Sequence, residues 1–99
     1  MKKKNTMTKA DIVNEISENT GIEKVIVQRT VEEFMKSVKK GMVNGDNVYL
    51  RGFGSFIIKQ RAEKTARNIS KNTTIIIPAH KVPAFKPSKS FVNEVKENN

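Results

Sequence analysis

Arg61, Lys64, Arg67 and Lys71 lie in one short stretch whose other side chains are mostly small or polar and whose single acid is Glu63. Residues 51–91 as a whole hold nine Lys or Arg against that one acid, so this segment alone accounts for about eight of the chain's nine net positive charges. Like charges so placed repel one another unless a polyanion neutralises them, so phosphate is the first chemistry to consider. Lys86 and Lys89 flank Ser88 where a helix is expected to begin. There, free backbone N–H groups favour an anion and a cation otherwise opposes the helix dipole. Arg51 and Lys59 are further phosphate candidates, and Asn68 can either hydrogen-bond in a groove or cap a turn.

Other chemistries find no support. His80 is the single histidine, and Ser55, Ser70, Ser88 and Ser90 have no base–orienter pair nearby in sequence. Without cysteine there is no thiolate metal site, thiol nucleophile or disulfide framework, which leans toward a reducing interior. The expectation is a protein that is not an enzyme and takes no cofactor, metal or small-molecule substrate. The opening Met-Lys-Lys-Lys resembles the charged start of a signal peptide, but Asn5, Thr6, Thr8, Lys9 and Asp11 interrupt any apolar run. A cytoplasmic protein without a membrane span is expected, with residues 1–6 a loose basic tail and residues 7–97 one domain.

The elements that must position these cations follow from periodicity. Thr8 with Asp11 fits a capping box, and Ile12, Val13 and Ile16 then share a helical face until Thr20-Gly21. Val27, Val31, Phe34, Val38 and Met42 recur at helical spacing until Asn44-Gly45-Asp46, with Ile26 and Met35 widening the stripe beyond what one partner helix would cover. From Val48 the period becomes two. Val48 and Leu50 form one strand, and Phe56 and Ile58 follow in a second after Gly52 and Gly54, which read as a bend where the chain lacks Cβ bulk and another backbone can come close. The β-branched run Thr73 to Ile77 reads as the returning strand, making Lys64 to Asn72 the far end of a long hairpin, an arm of about residues 60–75. Pro78 marks an edge or a bulge, and Pro87-Ser88 opens a last helix with Phe91, Val92 and Val95. The order is helix, helix, three strands, helix, an α+β class. Phe53, Phe56 and Phe85 are expected in a core rather than stacked on bases. Because the arm adds little apolar surface in a chain that is 36% hydrophobic, a second copy is the simplest source of further burial.

Three separated motifs carry a family resemblance: Gly52-Phe53-Gly54-Ser55-Phe56, the tip Arg67-Asn68, and Val82-Pro83-Ala84-Phe85-Lys86-Pro87. With a helical hairpin before them and a short helix after, the chain resembles the HU/IHF family of bacterial histone-like DNA-bending proteins from Met7 to about Lys96. The resemblance implies an intertwined dimer: N-terminal helical hairpins, a three-stranded antiparallel sheet forming a saddle, and two long β-arms entering the minor groove of double-stranded DNA. It implies a homodimeric, nucleoid-associated architectural protein that bends and compacts DNA with low sequence specificity. A sequence-selective protein of the integration-host-factor kind and an RNA-binding or ribosome-associated basic protein are the alternatives. The tip departs from the family pattern, with Ile69 where relatives carry a wedging proline, then Ser70-Lys71-Asn72 for the turn and Ala66 where many have glycine. Ile69, an apolar residue at a polar tip, is expected to be the wedge.

Overall fold

The computed structural model describes residues 6–68 and 73–98. Met1–Asn5, most of the expected tail, and the tip residues Ile69 and Lys71 lie outside the described residues. Helix α1 (Lys9–Thr20) and helix α2 (Lys24–Val43) are followed by strands β1 (Val48–Leu50), β2 (Gly54–Arg61), β3 (Lys64–Asn68), β4 (Thr73–Ile77) and β5 (His80–Pro87), and by helix α3 (Lys89–Glu97). The chain divides into two compact units, residues 1–39 and 40–99.

In the first unit the expected capping box is present: the Thr8 hydroxyl accepts from the Asp11 N–H at 3.3 Å, and the Asp11 carboxylate accepts from the Thr8 N–H at 2.9 Å. Two of the helix's free N-terminal donors are thereby satisfied. Val13 of α1 and Val27 of α2 are the buried hydrophobic residues among those described, at 4% and 3% exposure. Lys9 bonds Glu32 at 2.8 Å across the hairpin, and Gln28 adds a bond to the same carboxylate at 3.2 Å. These two donors, Lys9 first, hold the Glu32 carboxyl below its ordinary range.

In the second unit β1, β2 and β5 form an antiparallel sheet with β2 in the middle. The edge position of β5 is what allows Pro83 and Pro87 to stand in it. Phe53, Phe56, Phe85 and Phe91 pack together, with ring centroids 4.9 Å apart for Phe56–Phe85, 5.2 Å for Phe53–Phe85 and 5.5 Å for the stacked Phe53–Phe91 pair. The expected phenylalanines meet in one cluster, with Phe53 and Phe85 still half-exposed, and Phe91 ties α3 into it.

The three-stranded antiparallel sheet and the arm are present as expected, but the chain order holds five strands where three were expected. The returning chain is two strands, because Pro78 has no N–H to donate and Pro78-Ala79 stand outside the ladder opposite Ala62-Glu63. β3 and β4 therefore form a separate two-stranded sheet, the arm. One register nonetheless runs through the break. Arg61 faces His80 at the end of the sheet, and three residues further on Lys64 faces Ile77.

Candidate nucleic-acid interface

Strand alternation decides which cations act together. Through the β2–β5 register, Ser55 faces Lys86, Ile57 faces Ala84, Lys59 faces Val82 and Arg61 faces His80. These pairs lie on one side of the sheet, and Phe56 with Phe85 on the other. The sheet thus brings Lys59, Arg61 and Lys86 onto one side, with His80 beside them and the Phe cluster on the reverse. Lys81, opposite Gln60, belongs to the aromatic side.

The glycine motif builds the end of this surface. Gly52 takes a φ of +84°, open to glycine at no steric cost, and this turns the chain from β1 into β2. Gly54 is held by a different constraint: a Cβ there would lie 2.6 Å from the Lys86 carbonyl oxygen and 2.7 Å from the Phe85 ring. The missing side chain lets β5 close onto β2. Ser88 locks the corner, donating its hydroxyl to the Gly52 carbonyl at 3.1 Å and its N–H to the Phe53 carbonyl at 2.9 Å. The same hydroxyl accepts from the Phe91 N–H at 3.2 Å, the expected cap of α3. Arg51, Tyr49, Ser55 and Ser88 line a shallow cleft of about 340 Å³ at this corner. Arg51 is thereby placed in the turn after β1, at a cleft it shares with Ser55, the residue that pairs with Lys86. Lys89 is the first residue of α3.

On the arm the register divides the cations. Lys64 pairs with Ile77 and Ala66 with Ile75, on one face; Thr65 pairs with Ile76 and Arg67 with Thr74, on the other. Lys64 and Arg67, grouped together from sequence, present opposite faces, and alternation carried through the register assigns Arg67 to the side of Lys59 and Arg61. Asn68 pairs with Thr73 at the last described rung. Sequence reasoning missed two supports. The Asn47 side-chain carbonyl accepts from the Ile58 N–H at 3.1 Å, and the Gln60 amide donates to the His80 carbonyl at 3.3 Å where the arm leaves the sheet. An Asn just before a strand and a Gln just before its last residue were the available signals.

A sheet with one cationic side, continued by a separate β-hairpin and closed by a capped helix, defines a β-armed basic module. The model of a family described as bacterial DNA-binding protein matches residues 7–96. DNA-binding protein HU of Thermus thermophilus is 37% identical over 97 residues, covering 98% of this chain and 100% of that protein. DNA-binding protein HU of Geobacillus stearothermophilus is 37% identical over 90 residues, covering 91% and 100%. Among solved structures, an Anabaena HU co-crystallised with DNA matches with a TM-score of 0.86 and 31% identity over 90% of this chain and 97% of that one. A Thermotoga maritima HU mutant shares the fold at a TM-score of 0.69 and 22% identity over 90% and 99%. The chain belongs to the HU family of bacterial DNA-binding proteins.

Proposed function

We propose that this protein binds double-stranded DNA as a homodimer, seats the phosphate backbone on the cationic side of its sheet, and bends the duplex by placing two arms in the minor groove. The observation that carries the reading is the placement of Lys59, Arg61 and Lys86 on one side of the sheet, in register with Arg67 on the arm that extends it. Such cations fix position without reading sequence, and minor-groove edges chiefly separate A·T from G·C, so specificity is low. Arg51 and Lys89 add phosphate contacts at the Gly52–Ser88 corner. Lys64, Asn68, Ile69 and Lys71 complete the arm, with Ile69 as the wedge that unstacks a base step. Residues 7–97 act as the DNA-binding domain, and the protein is associated with the nucleoid.

End-to-end fluorescence transfer on a doubly labelled linear duplex, followed through a salt titration, tests this. Transfer should rise on binding, showing a bend, and affinity should fall steeply with salt and depend little on sequence. Binding without a rise in transfer would leave a coating protein and remove the bending role.

A further inference from the structure

The arm strand β4 carries no charge, and its three isoleucines stand in solvent: Ile75 is 46% exposed, Ile76 64% and Ile77 37%. Ile75 and Ile77 share a face with Ala66, and Ile76 stands alone among Thr65, Arg67 and Thr74 on the other. That second face continues the register of Lys59, Arg61 and Lys86, which makes Ile76 the one large apolar side chain on the cationic side among the described residues of the arm. Strand propensity gives no reason for it, since threonine is β-branched as well and already fills Thr65, Thr73 and Thr74.

We propose that Ile76 is a sugar-reading residue that packs on the C–H surface of deoxyribose and disfavours ribose. The inference rests on the proposed DNA-binding role of the arm. In a minor groove the base edges offer acceptors, A N3 and T O2, and the guanine amino donor, none of which an isoleucine can satisfy. The groove walls offer sugar, whose apolar face it can cover. A 2′-hydroxyl on that wall would be pressed against a side chain without donor or acceptor and would lose its water, and an unsatisfied buried hydroxyl is costly. The 2′-hydroxyl is also the group by which proteins tell RNA from DNA. Cations on the same side, Arg61 and Arg67, attract both nucleic acids alike, so the sugar choice falls to the apolar residue on that face, Ile76, which pairs with Thr65 between them.

The test compares an all-DNA duplex with a duplex of the same sequence carrying scattered ribonucleotides, which keeps base sequence and phosphate charge equal. The parent protein should prefer all-DNA by about tenfold, the cost of one unsatisfied hydroxyl. Ile76→Thr keeps β-branching but supplies a hydroxyl partner, and should reduce the preference to about threefold or less with the salt slope unchanged. Ile76→Val should keep the preference. A parent that binds both duplexes equally, or an Ile76→Thr variant that retains the full preference, overturns the sugar-reading role and leaves DNA binding standing. A parent that binds neither duplex overturns the proposed function itself.

Discussion

A single missing methyl group sets how closely the sheet can close. At Gly54 the Cβ of alanine would fall 2.6 Å from the Lys86 carbonyl oxygen, and because that oxygen belongs to the paired backbone of β5 it has no easy way to move aside. Gly54→Ala should destabilise the fold by about 1–3 kcal/mol, the usual cost of overpacking. Denaturant unfolding measures it, and a loss within error would mean that β5 yields at this rung. Ile69 carries a different prediction, since its proposed task is to stand between base planes, and unstacking a step costs a few kcal/mol that added contact along the bent duplex must offset. Ile69→Ala should straighten the duplex in a fluorescence-transfer assay and Ile69→Pro should keep it bent, both with the parent's salt slope. Should Ile69→Ala bend DNA like the parent, the bend arises from the phosphate contacts on the sheet. The glycine motif was legible as a bend where missing Cβ bulk lets another backbone come close, but which backbone that is, and which of the two glycines it needs, were not. Gly52 answers to a left-handed φ, and Gly54 to the backbone of β5, which lies far along the chain and reaches it only in the folded sheet.

Elements turn a charged segment into a charged side. Composition marked residues 51–91 as basic, but alternation sorts its cations, and alternation requires a register that composition cannot supply. Removing a cation from one phosphate should flatten the plot of log affinity against log salt by about 0.9. Arg61→Ala, which takes one such cation from each copy of a dimer, should flatten it by about two, whereas Lys81→Ala, on the aromatic side, should leave it unchanged. Equal effects would mean that net charge alone governs binding. The helices, the Thr8 and Ser88 caps and the Phe cluster were readable from period and cap chemistry. The break between sheet and arm was only half readable: Pro78 announced it on the returning strand, but nothing in Ala62-Glu63 did, because their unpairing follows from what stands opposite. The helical hairpin adds a pH-dependent prediction. Glu32 is held below its ordinary pKa in the folded state, so its stabilising effect is present above the unfolded carboxylate range and is lost as pH falls through the folded value. Glu32→Gln should therefore be less stable than the parent near neutral pH, with the gap closing in acid. A gap independent of pH would trace the loss to packing instead of charge.

At the scale of the molecule, several of the apolar residues that sequence assigned to a core are not covered by one copy of the chain. Val27 is buried, but Phe34, two helical turns along the same stripe of α2, is 47% exposed, and Met35 is 39% exposed. In the second unit Phe53 and Phe85 remain 46% and 40% exposed even though they touch one another and Phe91. An aromatic side chain gains most of its stabilising effect only when fully withdrawn from water, so a fold that leaves these half-exposed is incomplete as a monomer. A second copy offering the same surfaces would complete it, in the manner of obligate dimers whose interface resembles a core cut in half. Folding and association should then be one process, with the thermal midpoint rising with protein concentration and sedimentation showing no folded monomer at micromolar concentration. Phe34→Lys places a charge in that stripe without touching a cation of the proposed DNA surface. It should shift the chain to an unfolded or partly folded monomer, abolish bending and reduce binding to a weak, salt-sensitive remnant. A Phe34→Lys chain that stays folded, sediments as a monomer and still bends the duplex would show that one arm suffices, and the two-armed clamp would have to be abandoned.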